Sequence, residues 1–248
     1  MQRRNFLKVM GAGGALVAIS PALIQETLYA EDGSVFQAFE KVQLVDGSGM
    51  PLKTSDLTEE ENYVFNYPHV STPAILINLS EPTNKDIKLK TVDGDEYIWK
   101  GGIGSKGTIV AYSAICAHQM AHPTPDESFI QYCKKGKKTA AFTPKEGESE
   151  GGIMVCSSHM ASYDVNSGCK VLGGPADQPL ASIILEIDKD DTIWASAVLG
   201  GERFHDYFKA FKHELKKYYG GKRKGKKRVF DAATTLLLSN YTKDIILY

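Results

Sequence analysis

Two stretches of the sequence decide the fold: residues 108–118, with the sequence TIVAYSAICAH, and residues 153–159, with the sequence IMVCSSH. Each begins as a run rich in β-branched residues, a composition that favours a strand. Each run ends at a cysteine, and a histidine follows two or three positions later. The pattern predicts two loops at the ends of strands, each presenting one thiol and one imidazole from a rigid scaffold.

The two pairs are Cys116 with His118 and Cys156 with His159. Thiolates and imidazoles bind zinc or iron. A zinc finger usually takes its two cysteines from one short segment and its two histidines from another. Here each loop supplies one of each, so that it can give its thiolate to one iron and its imidazole to a second. The spacing favours a cluster with two inequivalent irons, and a zinc-stabilised interaction module stays the alternative.

The sequence around these loops predicts an antiparallel β domain over residues 71–200. Two hairpins are expected, at residues 87–100, around an Asp-Gly turn, and at residues 181–199. Residues 31–70 are polar and contain turn and proline signals, so we expect an irregular segment there.

Charge is distributed unevenly along the chain of 248 residues. Its 42% hydrophobic content excludes a disordered protein. Residues 31–200 hold 14 cationic and 24 anionic side chains, whereas residues 201–248 hold 12 and 5. Aromatic residues at helical spacing over 203–219 precede a basic run at 222–228. We therefore expect a helical basic extension over 201–248 that contacts an anionic membrane surface or a partner subunit. Packing of the helix on the body of the protein is the alternative, and no contact with nucleic acid is expected.

The first 30 residues have the features of an export signal. Arg3 and Arg4 lie in the motif RRNFLK and precede an uncharged stretch at residues 9–24. Twin arginines before an apolar run are typical of twin-arginine export, which carries folded proteins and so predicts an inserted cofactor. The stretch would form a helix of ~24 Å against a hydrocarbon core of ~30 Å. A cleaved signal and a retained membrane anchor both stay open, and either places the protein in the periplasm.

The chain resembles Rieske [2Fe–2S] proteins over roughly residues 72–200. The resemblance rests on the two Cys–His pairs, on the approach at 108–116 and on Gly174-Pro175-Ala176, which is similar to the family's proline loop. It implies an all-β fold, an antiparallel Rieske-type β-sandwich with a cluster-binding subdomain. The export signal indicates the respiratory type: the Rieske subunits of cytochrome bc complexes and the small subunit of arsenite oxidase. Residues 63–73 are similar to the latter.

By this resemblance, Cys116 and Cys156 bind one iron of a [2Fe–2S] cluster, and His118 and His159 bind the other through Nδ1. Two imidazoles in place of two thiolates raise the reduction potential of the cluster to roughly −150 to +300 mV. The implied function is an electron-transfer subunit rather than a stand-alone enzyme. Its partners would be other subunits of a respiratory complex or a c-type cytochrome. A quinol-oxidising subunit of a bc-type complex is the alternative.

The resemblance also assigns residues that tune the cluster. Tyr163 corresponds to a tyrosine that bonds a ligand cysteine, and Gly174 and Pro175 belong to the loop that covers the cluster. Ala161 stands where the family usually has a hydroxyl that donates to a bridging sulfide. Loss of this donor makes reduction less favourable, so we expect a potential below that of quinol-oxidising members.

A further departure concerns disulfides. The positions of the cysteines that usually form a bridge behind the cluster hold Ala121 and Ser158. Cys133 and Cys169 are candidates for a relocated disulfide in an oxidising compartment. Two unpaired cysteines are the alternative, because the sequence does not give the distance between them.

Two alternatives that involve other histidines are disfavoured. His122 follows His118 by four positions and could tune the cluster, but we expect it to be an exposed loop residue. A Rieske oxygenase would need a mononuclear iron held by two histidines and a carboxylate. After His159, only His205 and His213 remain, both on the predicted helix.

Overall fold

The computed structural model describes residues 35–136 and 152–247. The signal or anchor predicted for residues 1–30 lies outside these residues. Within the described ranges, no helix is long and apolar enough to cross a membrane.

The described chain is mostly β, as predicted. The strands are β1 (Phe36–Val45), β2 (Tyr63–Asn66), β3 (Pro73–Asn78), β4 (Ile87–Lys90), β5 (Glu96–Trp99), β6 (Ile109–Ser113), β7 (Glu127–Ser128), β8 (Ile130–Cys133), β9 (Ile153–Cys156), β10 (Ala161–Asp164), β11 (Lys170–Gly173), β12 (Ser182–Ile187), β13 (Ile193–Leu199), β14 (Ala232–Thr234), β15 (Leu236–Leu237) and β16 (Asp244–Ile245). The helices are α1 (Phe204–Ala210), α2 (Lys212–Tyr219), α3 (Lys222–Gly225) and α4 (Leu238–Tyr241), and Thr54–Asp56 and Val165–Ser167 form 3-10 turns.

The largest sheet has the strand order β14-β1-β13-β12-β6-β3-β2-β15. Both predicted hairpins are present, as β4 with β5 and as β12 with β13. Strand β3 shows that both faces of this sheet are buried. Ala74 and Leu76 enter one hydrophobic cluster, and the alternating Ile75 and Ile77 enter the other.

A smaller sheet, with the order β11-β10-β9-β8, forms the lobe that carries the second Cys–His pair. The first pair follows β6 of the large sheet, whereas Cys156 is the last residue of β9 in the small sheet. The two loops therefore come from different sheets and meet between them.

The prediction of an irregular segment at 31–70 was wrong in part, because β1 and β2 lie within it. Strand β1 pairs with β13, and β2 pairs with β3. The pairing register shifts between Ala38 and Val42, around the charged Glu40 and Lys41. This irregularity removes the clean apolar–polar alternation by which a strand is recognised in a sequence.

The predicted helical extension is helical only in part. Helices α1, α2 and α3 lie between residues 204 and 225, and the short helix α4 follows at Leu238–Tyr241, but the residues between α3 and α4 return to the body as strands. Strand β14 pairs in parallel with β1, and β15, after the single residue Thr235, pairs antiparallel with β2. One segment thus joins both edges of the large sheet and closes it, instead of leaving an open sandwich. The closure satisfies edge N–H and C=O groups that would otherwise stay unpaired.

Candidate metal centre

The two loops bring the four predicted donor side chains together. The ring centroids of His118 and His159 lie 4.8 Å apart at an interplanar angle of 86°. The thiols of Cys116 and Cys156 are within hydrogen-bonding reach of each other. In the described part of the chain, no three His, Cys, Asp or Glu side chains group tightly enough for one metal ion. A cluster with two irons divides its ligands and does not require such a group.

Backbone N–H groups favour negative sulfur at Cys116. The pKa of this thiol falls to about 6, chiefly because it accepts a hydrogen bond from the thiol of Cys156. The hydroxyl of Tyr163 and the backbone N–H groups of His118 and Gln119 lower it further. The Sγ atom of Cys116 lies 3.3 Å from the hydroxyl of Tyr163. The predicted contact between Tyr163 and Cys116 is therefore present, and Tyr163 makes it from strand β10.

The second loop has the same construction. The backbone N–H groups of Ser158 and His159 hydrogen-bond to Cys156. The pKa of Cys156 is nevertheless raised, first because it shares a proton with the neighbouring Cys116 and then because it is buried. Each loop folds its own amides onto its own sulfur, which stabilises thiolates with few side-chain donors.

The imidazoles fit the role of ligands. Nδ1 of His118 is buried and has no hydrogen-bond partner among the described residues. An orphaned buried nitrogen calls for a partner outside the polypeptide. Nδ1 of His159 lies 3.2 Å from the hydroxyl of Ser158, and its ring is exposed. The donor set and this orphaned nitrogen therefore fit a [2Fe–2S] group.

The proline loop packs against the backbone that follows the second pair. Gly174 has a φ of +83°, and a Cβ there would lie 2.2 Å from the carbonyl oxygen of Met160 and 2.7 Å from Cα of Ala161. Only glycine permits both the backbone angle and this approach. Pro175 is exposed beside it, whereas Ala161 is fully buried.

Two residues that the sequence did not identify hold the first loop. His122, expected to be exposed, is 7% exposed and packs between the rings of Tyr207 and Phe211. Its Nδ1 lies 2.9 Å from the carbonyl oxygen of Met120, and its Nε2 lies 3.1 Å from Glu214. The second residue is Arg203, whose Nη1 donates to the carbonyl oxygen of Ala117 at 2.8 Å. The aromatic spacing over 203–219 predicted an amphipathic helix but left open whether its apolar face packs on the body.

The candidate disulfide is absent. None of the four cysteines, all of which lie in the described ranges, forms a disulfide. Cys133 packs with Ile153, Val155 and Leu247, whereas Cys169 belongs to the main core cluster. The two thiols are buried in separate parts of the core, which is the physical reason that they do not pair.

Comparisons with known proteins agree with this site. Residues 78–184 match the family model of the Rieske [2Fe–2S] domain. A relative named iodate reductase subunit IdrB, from Denitromonas iodatirespirans, is 26% identical over 200 residues, which cover 81% of this chain and 82% of the relative. A protein of the same name from Pseudomonas sp. (strain SCT) is 26% identical over 204 residues, which cover 81% and 80%.

A solved structure is also similar, that of the soluble domain of the Rieske protein II (soxF) from Sulfolobus acidocaldarius. It shares 20% identity, covers 66% of this chain and 82% of its own, and gives a TM-score of 0.45.

The chain thus contains an iron–sulfur electron-transfer domain. That domain is the Rieske [2Fe–2S] domain, and the matched residues include both Cys–His pairs. The predicted Rieske [2Fe–2S] domain and the predicted [2Fe–2S] cofactor are confirmed over the matched residues.

Proposed function

We propose that this protein is the Rieske electron-transfer subunit of an exported respiratory oxidoreductase and that it relays single electrons without acting on the substrate itself. The observation that supports this most strongly is the meeting of two Cys–His loops from separate sheets inside a Rieske domain. The relatives named as iodate reductase subunits support a role within a larger oxidoreductase. The RRNFLK motif supports export to the periplasm, with the signal either cleaved or retained as an anchor.

In this proposal, Cys116 and Cys156 hold one iron, and His118 and His159 hold the other. The bound cluster would supply a site that accepts and returns one electron. The residues around it hold the ligands in place: Tyr163 bonds to Cys116, and amides of both loops bond to the sulfurs.

The exposed side of the site is where a redox partner would dock. His159 is exposed, and the next residue, Met160, is 37% exposed. Leu172 is 44% exposed in β11, which pairs with the strand that follows this loop. Exposed apolar side chains near a ligand allow close approach of a partner without a large desolvation cost. The partner we propose is another subunit of the complex or a c-type cytochrome.

Ala161→Ser is expected to raise the reduction potential. Ala161 is buried at the start of β10, next to the second loop, and a hydroxyl there would add a donor toward the cluster. A donor stabilises the added negative charge of the reduced state. A redox titration followed by EPR should show a higher midpoint for the serine variant, and Ser162→Ala serves as a control that changes the neighbouring hydroxyl. An unchanged midpoint in a fully loaded Ala161→Ser protein would refute the role given to this position.

The relay function is tested in the complex isolated from cells. The full chain, tagged at its C-terminus, should purify from the periplasmic or membrane fraction together with a larger redox subunit. Iodate, chosen because of the relatives' names, should reoxidise the reduced cluster in the complex but not in the chain alone. A chain that purifies alone from the cytoplasm would contradict both export and the subunit role. A quinol that reduces the isolated chain directly would favour the bc-type alternative.

A further inference from the structure

We propose that Arg203 is a positioning residue that supplies positive charge to the cluster through the peptide group between Ala117 and His118. Its Nη1 donates to the carbonyl oxygen of Ala117 at 2.8 Å, across 86 positions of sequence. Ala117 is the single residue between Cys116 and His118. The inference rests on the proposed function in one respect, because it takes these two residues as ligands.

The same peptide group carries both contacts. The carbonyl of Ala117 and the N–H of His118 belong to one planar unit, and that N–H hydrogen-bonds to the sulfur of Cys116. A charged donor on the carbonyl polarises the unit and strengthens the bond that its N–H makes. The positive charge of Arg203 therefore reaches the thiolate through one peptide group.

Arg203 is held with little access to water. Its side chain is 23% exposed, and its Nε is buried without a hydrogen-bond partner in the described part of the chain. Its carboxylate neighbour Asp206 lies 3.9 Å away, beyond hydrogen-bond distance. A cation that is poorly solvated and only weakly paired acts strongly on its surroundings. The positive charge of Arg203 therefore stabilises the negative charge that the cluster gains on reduction.

The contact is fixed on both sides. Arg203 immediately precedes α1, which is anchored by the buried Phe204, Tyr207 and Phe208. On the other side, the loop is closed by the bond from the N–H of Cys116 to the carbonyl of Ala121, at 2.9 Å. Neither partner can move away without disturbing the packing, so the guanidinium stays at the peptide in both redox states.

The test compares Arg203→Gln, Arg203→Lys and the control Lys209→Gln in the full chain. Lys209 is an exposed cation on α1, so its variant removes the same charge without the peptide contact. We expect Arg203→Gln to lower the equilibrium constant for reduction about tenfold, a midpoint ~59 mV lower for a one-electron couple. Arg203→Lys should shift less, because its charge remains. Lys209→Gln should match the unmodified protein.

Iron content, melting temperature and the EPR line shape are measured on the same samples. If the glutamine variant folds but loses its iron, Arg203→Lys decides: a midpoint below that of Lys209→Gln supports the proposal, and an equal midpoint overturns it. The proposal is overturned if Arg203→Gln keeps its iron and has the same midpoint as Lys209→Gln. This holds whether both midpoints equal that of the unmodified protein or both are lower by the same amount. Absence of a Rieske signal from the unmodified chain would instead overturn the proposed function.

Discussion

Replacing Cys156 with serine is expected to abolish the [2Fe–2S] cluster, whereas replacing Cys133 or Cys169 with serine is expected to leave it in place. The chain offers this matched comparison because all four cysteines are buried and only two lie at the candidate site. At Cys156, two amides of its own loop and the thiol of Cys116 surround the sulfur. A serine hydroxyl is deprotonated far less readily than a thiol and binds iron less well, so one iron loses an anionic ligand.

The measurement is iron and acid-labile sulfide per folded chain, together with visible absorbance. Cys169→Ser should lower the stability, because Cys169 is fully buried and the hydroxyl would be removed from water. The cluster content per folded molecule should nevertheless stay near that of the unmodified protein. Retention of a full cluster by Cys156→Ser, or its loss only in a Cys133 or Cys169 variant, would show that the ligands are assigned to the wrong cysteines.

Ala233→Asp is expected to lower the free energy of unfolding by about 3–5 kcal/mol, the cost of an unpaired buried charge. Ala233 lies in β14 opposite Leu44 of β1 and is 4% exposed, at the point where the C-terminal segment closes the large sheet. The adjacent Ala232 is exposed on the same strand and provides the control. Ala232→Asp makes the same chemical change, with the same loss of strand propensity, but leaves the carboxylate in water.

Denaturant unfolding of the two variants decides whether residues 232–237 belong to the fold. Ala232→Asp should stay within about 1 kcal/mol of the unmodified protein, as a surface change in a strand does. Similar small effects of both substitutions would mean that the segment is not part of the closed sheet. Such a result would place the segment in the basic extension that the sequence predicted for residues 201–248.

The features that the sequence predicted are those encoded locally. The hairpins at 87–100 and 181–199 contain their own turn residues, so both could be predicted without knowledge of their neighbours. The two Cys–His loops were predictable for a similar reason, because each lies at the end of a strand-forming run. Their meeting between two sheets followed from the chemistry of shared iron ligation rather than from any pattern of strands.

The features that the sequence did not predict depend on distant partners. Strand β1 is irregular around Glu40 and Lys41, and its strand character comes from pairing with β13 and β14. Strands β14 and β15 are three and two residues long, too short for any periodicity. The contacts of Arg203 with Ala117 and of His122 with Glu214 join residues 86 and 92 positions apart. Side chains of these types are usually exposed, so composition pointed away from the observed burial.

The ligation of two irons by two thiolates and two imidazoles is tested most directly by pulsed EPR of the reduced protein in which histidine alone carries 15N. The geometry of the Cys116–His118 and Cys156–His159 loops predicts a [2Fe–2S] signal with two strongly coupled 15N nuclei, one from each imidazole. His118→Ala and His159→Ala should each remove one coupling or the whole cluster, whereas His122→Ala should keep both couplings. A zinc-loaded, EPR-silent protein, or a [2Fe–2S] signal without histidine couplings, would contradict it.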